Sequence, residues 1–168
     1  DGYVTNNENG VEICVTTSQE TAQQFLKTIV ENAPPVSKIN RHSIEEIPLE
    51  SFTGFQIKAS SVSEAINIPL TPDFGVCEHC KTEISNPENR RYNYLFTTCV
   101  HCGPRYAITK QFPFERDNTS LTSFTMCASC EKEYKDPNDR RFHSQTNSCV
   151  DCGIQLQLTD SIGKTLNV

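Results

Sequence analysis

The chain has 168 residues, enough for one ordinary domain or two small ones, and a formal net charge of −6 at pH 7. Residues 1–73 hold four Lys and Arg against ten Asp and Glu, whereas residues 74–153 hold ten of each. This balance argues against nucleic-acid binding, which normally needs a basic face. No apolar run is long enough to span a membrane and no signal peptide is recognisable, so a cytoplasmic location is predicted.

The first residues predict a β-hairpin. The stretches "GYVTN" (2–6) and "VEICVTT" (11–17) have strand composition, and the turn Asn6 to Gly10 between them contains Asn9-Gly10, a strong hairpin signal. Because side chains alternate along a strand, three apolar residues of the second strand should share one face: Val11, Ile13 and Val15.

The next stretch, "TSQETAQQFLKTIVENAPP", predicts an amphipathic helix. Thr17 and Glu20 fit a capping box, and Pro34-Pro35 should end the helix. Its apolar residues fall at helical spacing on one stripe: Ala22, Phe25, Leu26, Ile29 and Val30. The stripe should pack on the sheet.

Two further strands are expected before a linker. "INRHSIEEI" (39–47) is a weak strand candidate, and "GFQIKAS" (54–60) alternates through Phe55, Ile57 and Ala59. Residues 1–60 therefore predict a β-β-α-β-β order in an α+β domain, with the helix laid on an antiparallel sheet. A linker is expected over 61–73.

The remaining sequence contains the same unit twice. "CEHCKTEISNPENRRYNYLFTTCVHC" (77–102) and "CASCEKEYKDPNDRRFHSQTNSCVDC" (127–152) agree at four cysteines, at Glu83/Glu133 and at the Arg-Arg pairs. We expect units at 74–103 and 127–153, joined by a connection over 104–126. The tail 154–168 should form a strand, a turn at Ser161-Ile162-Gly163 and a second strand.

The doubled Cys-x-x-Cys spacing predicts two structural zinc ions. Four thiolates form a closed tetrahedral shell with no open position, which is typical of a structural site. Disulfides and iron–sulfur clusters are the less favoured alternatives. Each unit has four cysteines and its own turn, so each copy should close alone; a nested arrangement, with the outer pairs together and the inner pairs together, remains a rival. The predicted ligands are Cys77, Cys80, Cys99 and Cys102, and Cys127, Cys130, Cys149 and Cys152.

Other residues that the sequence singles out have supporting roles. Asn86-Pro87 and Asp136-Pro137 should turn the chain back toward the metal. Gly103 and Gly153 should allow a positive φ after each second cysteine pair. Three histidines near the cysteines are not expected to be ligands, and Cys14 should be a packed thiol. The histidines are His79, His101 and His143.

The arginine pairs have three possible roles. A zinc ion with four thiolates carries about −2 net charge, so nearby Arg is favourable. The pairs Arg90-Arg91 and Arg140-Arg141 either serve this charge, dock a neighbouring domain, or are solvated with their stems covering the site.

At "NPENRRYNYLFTTCVHCGPRY" and "DPNDRRFHSQTNSCVDCG" the chain resembles the zinc-finger region of the HypF family of carbamoyltransferases. The segment "FPFERDNTSL" is similar to the inter-finger segment of this family, and residues 2–60 resemble the later part of its acylphosphatase domain. The resemblance implies a ferredoxin-like domain with its first strand and helix missing. The chain begins at Asp1 rather than Met, which agrees with a piece of a longer protein.

The resemblance also implies a function. HypF-type proteins use carbamoyl phosphate and ATP to carbamoylate the C-terminal cysteine of HypE, which supplies a cyanide ligand in [NiFe]-hydrogenase maturation. The ATP site and the transfer module would lie downstream of this chain, and residues 154–168 would begin a YrdC-like module. In the acylphosphatase site Asn6 would position water, while the phosphate-binding Arg loop would lie upstream of Gly2. The chain alone should therefore be inactive.

An alternative of a different class is a zinc-ribbon module that binds protein or nucleic acid and has no catalytic role. Its support is the doubled four-cysteine unit together with the RRY and RRF triplets. Asn6 also has a simpler interpretation, as an ordinary turn residue before Asn9-Gly10. The incomplete sheet should either leave residues 1–60 loosely ordered or invite a dimer or a separate N-terminal strand.

Overall fold

The computed structural model describes residues 1–7, 9–34, 36–59 and 71–166, so most of the predicted linker lies outside the described residues. The strands are β1 (Gly2–Asn7), β2 (Gly10–Val15) and β3 (Phe55–Ile57). The helices are α1 (Gln19–Glu31), α2 (Glu78–Ser85) and α3 (Ala128–Lys135), with two short 3-10 helices at Tyr106–Ile108 and Arg116–Asn118.

The predicted hairpin is confirmed. Strands β1 and β2 pair antiparallel from Gly2↔Val15 to Asn7↔Gly10, so the turn is shorter than the sequence suggested and Asn6 belongs to the strand. The fully antiparallel sheet is wrong, because β3 pairs parallel to β1 and the strand order is β2-β1-β3. Parallel pairing requires a long crossover connection, and α1 with the residues that follow it supplies one.

Helix α1 is confirmed, but its start differs from the predicted capping box. Ser18, not Thr17, is the N-cap, and its hydroxyl oxygen accepts a hydrogen bond from the backbone N–H of Thr21 at 3.3 Å. Ser18 sits one residue closer to the helix, so its side chain reaches the free N–H groups of the first turn. The helix ends with Asn32 as its C-cap, before the prolines, of which Pro35 lies outside the described residues.

The strand predicted over 39–47 is wrong. The residues form no regular structure, and their isoleucines are 40–52% exposed. A strand needs a neighbour for its backbone hydrogen bonds, and none pairs with this segment among the described residues. Strand-like composition is therefore not sufficient here.

The apolar faces of this N-terminal part remain open. No residue of α1 is buried; of the predicted stripe Ala22, Leu26 and Ile29 are half-buried, and Phe25 and Val30 are exposed. Val11 is 67% exposed and Phe55 is 53% exposed, whereas Cys14 on the opposite face of β2 is buried, as expected for a packed thiol. Hydrophobic contact in this region is limited, and Tyr3 provides part of it through edge-on contact with Phe52.

Beyond residue 71 the chain repeats one local structure. Helix α2 and helix α3 each begin directly after the first cysteine of a unit, have eight residues and are followed by matching turns. The tail contains the predicted turn, with Gly163 at φ 81°, but between 154 and 166 the structure has an isolated bridge between Thr159 and Thr165 in place of two strands. No helix among the described residues has the length and apolar character needed to cross a membrane.

Candidate metal centres

The cysteines of each unit come from two kinds of local structure. Cys77 and Cys127 are the N-caps of α2 and α3, so the second cysteine of each first pair lies in the first helical turn. The positive end of a helix favours thiolates at this position. The second pairs lie in tight turns, where the N–H of Cys102 donates to the carbonyl of Cys99 at 3.3 Å. The corresponding bond in the second unit, from Cys152 to Cys149, is 3.2 Å.

The sulfur atoms form two groups of four. In the first unit the Sγ–Sγ distances are 3.7 Å for Cys77–Cys99, 3.8 Å for Cys99–Cys102 and 3.6 Å for Cys102–Cys80. The equivalent distances in the second unit are 3.7, 3.8 and 3.6 Å. All four sulfurs of a group lie within 4.8 Å of one another. The structure thus groups consecutive pairs within one unit, not nested pairs.

This geometry fits one tetrahedral zinc ion per group. A Zn–S bond of about 2.3 Å gives tetrahedral sulfurs about 3.8 Å apart. A disulfide requires about 2.05 Å between sulfurs, and all nine cysteines are free. An iron–sulfur cluster would place several metal atoms and sulfides between the thiolates, which this spacing does not accommodate. Burial raises the pKa of Cys130, and a bound zinc ion would favour its thiolate form.

The sulfurs occupy the centre of the two units. Five cysteines are completely buried: Cys80, Cys99, Cys102, Cys130 and Cys149. Among the described residues from 71 to 166, the other buried hydrophobic residues are Tyr94 and Leu121. The cysteine groups therefore stand where a larger domain would have an apolar core, as is usual for small metal-stabilised scaffolds.

The two units are joined by buried arginines that cross from one to the other. Arg91 of the first unit is 2% exposed and forms a two-point ion pair with Glu133 of the second, with N–O distances of 3.0 and 2.5 Å. Arg141 of the second unit is 3% exposed and pairs in the same way with Glu83 of the first. We call this reciprocal pair of contacts the arginine clasp.

The outer arginine of each pair reaches a cysteine of the opposite unit. Nη2 of Arg90 donates to Sγ of Cys130 at 3.0 Å, and Nη1 of Arg140 donates to Sγ of Cys80 at 3.0 Å. Both arginines also contact the clasp glutamates. Burial by itself would raise the pKa of Glu133, but hydrogen bonds from Arg91 and Arg90 outweigh it and lower the pKa to about 2.

Local turns hold the buried arginines in place. The side-chain oxygen of Asn89 accepts from the N–H of Arg91, and Asp139 accepts from Arg141 in the same way, at 2.9 and 2.7 Å. The predicted turns lie just before them: Asn86 is the C-cap of α2 and Asp136 that of α3. Each of these side chains accepts a hydrogen bond from the backbone N–H two residues later.

The inner arginines, Arg91 and Arg141, also bind the backbone of the opposite unit. Nε of Arg91 donates to the carbonyl of Ser148, and Nε of Arg141 donates to the carbonyl of Thr98.

The connection between the units adds two further arginines that the sequence analysis did not single out. Arg105 donates to the carbonyls of Val100, Cys102 and Pro104, around the second cysteine pair of the first unit. Arg116 donates to the carbonyls of Gln145, Asn147 and Phe124. Neither residue recurs at the matching position of the other unit, so the repeat gave no signal for them. A glutamate does recur at matching positions, as Glu83 and Glu133, and this repetition was the signal in the sequence that marked the clasp residues.

The two glycines after the cysteine pairs differ. Gly103 has φ 88°, as the sequence predicted, and a β-carbon there would lie 2.4 Å from Cγ2 of Thr98. Gly153 does not have a positive φ; it is required because a β-carbon would lie 1.8 Å from the Tyr94 hydroxyl oxygen. The expectation of a positive φ at Gly153 is therefore wrong, since close packing between the units requires the glycine.

Replacing Gly103 with alanine should lower the free energy of unfolding of the zinc-loaded chain by about 1–3 kcal/mol, because a non-glycine residue is strained at this φ. The added methyl also collides with Thr98, whose hydroxyl donates across the units to Thr146 at 2.7 Å. Urea unfolding at saturating zinc measures the effect. Gly75→Ala is the matched control, since a β-carbon there meets nothing within 4 Å. Equal stabilities for the two variants would contradict the assignment.

The remaining predicted site residues lie outside these centres. His79 is exposed and His143 stacks edge-on against Phe142 with ring centres 4.4 Å apart, and both sulfur groups contain cysteines alone. Asn6 is exposed in β1, opposite Val11 and close to the turn. Among the described residues no hydrogen-bond partner is found for its side chain. Arg41 lies in the irregular segment after α1.

Sequence comparison with known families agrees with this architecture. The family model described as Acylphosphatase matches residues 1–57, and the model described as HypF finger matches twice, at residues 76–109 and 126–159. The class of protein is thereby defined: an acylphosphatase-like domain followed by two HypF-type fingers with four cysteines each.

Individual relatives give the same family. The chain is 39% identical over 123 residues to carbamoyltransferase HypF of Synechocystis sp., covering 73% of the chain and 16% of that relative. It is 38% identical over 119 residues to a probable carbamoyltransferase HypF of Methanocaldococcus jannaschii, covering 70% of the chain and 16% of the relative. These matches identify the chain as a HypF-type sequence that spans about a sixth of the length of these relatives.

Solved structures support the fold. A crystal structure of full-length HypF in a phosphate- and nucleotide-bound form superimposes with a TM-score of 0.84 at 39% identity, over 90% of this chain and 20% of that one. The crystal structure of T. kodakarensis HypF gives a TM-score of 0.74 at 37% identity, over 90% of this chain and 19% of that one. For the chain itself, the parallel pairing of β3 with β1 corrects the expected antiparallel sheet. The α+β class and the acylphosphatase-like domain with two cysteine clusters are confirmed.

Proposed function

We propose that the chain is the N-terminal part of a carbamoyltransferase that uses carbamoyl phosphate and ATP to carbamoylate the C-terminal cysteine of HypE, in the cytoplasm, for cyanide-ligand synthesis in [NiFe]-hydrogenase maturation. The observation that carries this proposal is the combination of an acylphosphatase domain with two HypF fingers in one chain, at 34–39% identity to proteins named carbamoyltransferase HypF. Downstream YrdC-like and transfer modules would supply the ATP site and the second half of the reaction.

In this proposal the fingers have a structural role. Each cysteine group offers four thiolates, which complete the shell of a zinc ion and leave no position for water or substrate. When bound, zinc would supply folding stability and no reaction step. Each ion would be held by the cysteines of one finger, and the arginine clasp would join the fingers into one scaffold between the acylphosphatase-like domain and the downstream modules.

The acylphosphatase-like domain would handle carbamoyl phosphate. Asn6 is the proposed water-positioning residue, which its exposed side chain near the end of β1 supports. Hydrolysis of an acyl phosphate also requires cationic binding of the phosphoryl oxygens. Arg41 is the only Arg before residue 90, and its segment does not correspond to the phosphate-binding loop expected before Gly2. The chain by itself is therefore proposed to be inactive.

The alternative of a nucleic-acid-binding zinc ribbon loses one of its two supports. The RRY and RRF triplets favoured it, but Arg91 and Arg141 are buried, and all four arginines of these pairs contact glutamate or cysteine within the chain. They are not available to bind phosphates while the two fingers are assembled. A gel shift with mixed DNA and RNA at physiological salt should show no binding.

The proposed function is tested with the full-length gene product, HypE, ATP and labelled carbamoyl phosphate. Label should reach the C-terminal cysteine of HypE, and the 168-residue chain alone should neither transfer label nor release phosphate. Asn6→Ala in the full-length protein should lower the rate about 10²-fold, as misplaced reacting groups do. Asn40→Ala, at an exposed position without regular structure, is the control. Acyl phosphate turnover by the chain alone, abolished by Asn6→Ala, would contradict the proposal.

A further inference from the structure

The contacts between the two fingers are reciprocal and include the candidate metal ligands themselves. Each finger offers two arginines and receives two, and the receiving groups are one glutamate and one cysteine of a candidate metal centre. For the second centre these are Glu133 and Cys130; for the first they are Glu83 and Cys80. Neither centre is therefore surrounded by its own finger alone.

Charge makes these contacts stronger than ordinary packing. A zinc ion with four thiolates carries about −2 net charge, and the glutamate beside it adds a further negative charge. At each centre the other finger supplies two balancing cations, since Arg90 and Arg91 lie at the second centre and Arg140 and Arg141 at the first. If one finger opens, the metal centre of the intact finger loses the two arginines that balanced its negative charge. The buried arginine of the intact finger also loses its glutamate partner on the opened finger, which is costly.

We propose that metal binding at the two centres is thermodynamically coupled through the arginine clasp, so that each centre binds zinc more tightly when the other is filled. The inference rests on the proposed zinc binding and adds a property that neither finger has alone. It replaces the expectation that each unit closes independently. Each unit supplies all four sulfurs of its own centre, but part of the positive charge around those sulfurs comes from the other unit. Coupling between two binding sites typically changes affinity by about 5–150-fold.

The test measures the zinc affinity of one centre while the other is intact or opened. In the 168-residue chain, Cys127→Ser with Cys149→Ser opens the second centre, and equilibrium competition with a chelator of known affinity reports the first. The affinity of the first centre should fall by about 5–150-fold. Because such coupling is reciprocal, Cys77→Ser with Cys99→Ser should lower the affinity of the second centre by the same factor. Hydrogen exchange in residues 78–85 gives a second readout that does not depend on the chelator.

A clasp variant tests whether the coupling runs through the clasp glutamates. Glu83→Gln with Glu133→Gln should weaken zinc at both centres, and opening one centre in this background should have little further effect on the other. The matched control is Glu78→Gln with Glu131→Gln, which lie on the same helices and form ion pairs with the exposed lysines Lys81 and Lys135. If the double Gln variant does not fold, Arg90→Gln with Arg140→Gln takes its place, because it removes one cation of the other finger at each centre and should reduce the coupling.

The outcomes separate the coupling, its route and the zinc itself. An unchanged affinity at the remaining centre overturns coupling, and coupling that persists in the clasp variant overturns the clasp as its route. Failure of the zinc proposal is seen separately, since native mass spectrometry of the unmodified chain would then show fewer than two zinc ions. Equal effects of the clasp and control variants would also contradict the inference.

Discussion

Removal of zinc from both centres is expected to unfold residues 74–153. Five fully buried cysteines stand at the centre of this region, and Tyr94 and Leu121 are its other buried hydrophobic residues among those the structure describes. Without the ion the buried thiolates would protonate or separate, and little apolar burial would remain to hold the chain. Zinc binding contributes about 10–16 kcal/mol of apparent folding free energy in finger peptides.

Hydrogen exchange of the chain before and after chelation measures this effect. Amide protection in α2 and α3 should be lost and should return when zinc is added back. Protection in α1, which has no cysteine and lies outside the fingers, serves as the internal control and should stay the same. Unchanged protection of α2 and α3 in the metal-free chain would show that packing, not metal, stabilises the fingers.

Arg91→Ala and Arg141→Ala are each expected to lower the free energy of unfolding of the finger region by about 3–5 kcal/mol. Each substitution removes one partner of a buried ion pair and leaves a glutamate, about four-fifths buried, without its main cation. Arg91 also donates to the carbonyl of Ser148 and to the side chain of Asn147, so these acceptors lose their donor as well. The effect should appear in both fingers, because each arginine belongs to one finger and binds the other.

Denaturant unfolding at saturating zinc, followed by signals from each finger, checks this prediction. Lys135→Ala is the control in the second finger, since its pair with Glu131 is exposed and should contribute nothing measurable. Arg90→Ala should lower the free energy of unfolding less than Arg91→Ala and more than Lys135→Ala, because Arg90 is about one-third exposed. An Arg91→Ala variant as stable as Lys135→Ala would contradict the clasp as a stabilising contact.

Much of the candidate site follows from the sequence, because metal-ligand spacing is local. Two Cys-x-x-Cys pairs and an intervening turn fit within one repeat, so the four sulfurs and their grouping could be anticipated from Cys77 to Cys102. The Asn-Pro and Asp-Pro turns were equally local, and the structure shows their side chains accepting backbone hydrogen bonds.

The clasp could not be derived in the same way. Arg91 and Glu133 are 42 residues apart in sequence, and no periodicity connects them. The repeat marked the arginines and the glutamates as features of both copies. A residue that is repeated in both units can, however, contact its own unit or the other unit. Only the relative placement of the two fingers shows that each arginine crosses over.

Two predictions for the N-terminal part are wrong for a related reason. The segment 39–47 is a weak strand candidate by composition, but a strand also requires a neighbour, and pairing is a long-range property. The parallel alignment of β3 against β1 likewise depends on the path of the connection and not on the residues of β3. The hairpin, by contrast, depends on a short turn containing Asn9-Gly10, and it was predicted correctly.

Each finger is expected to hold one zinc ion through its own four cysteines. Metal analysis combined with X-ray absorption tests the ion, and NMR of the cadmium-substituted chain tests the pairing. We predict two zinc ions per chain, each with four sulfur ligands at about 2.3 Å. Each cadmium signal should correlate with the β-protons of four cysteines from one unit. A nitrogen or oxygen ligand, a single ion per chain, or a cadmium signal shared between Cys77 and Cys149 would contradict this arrangement.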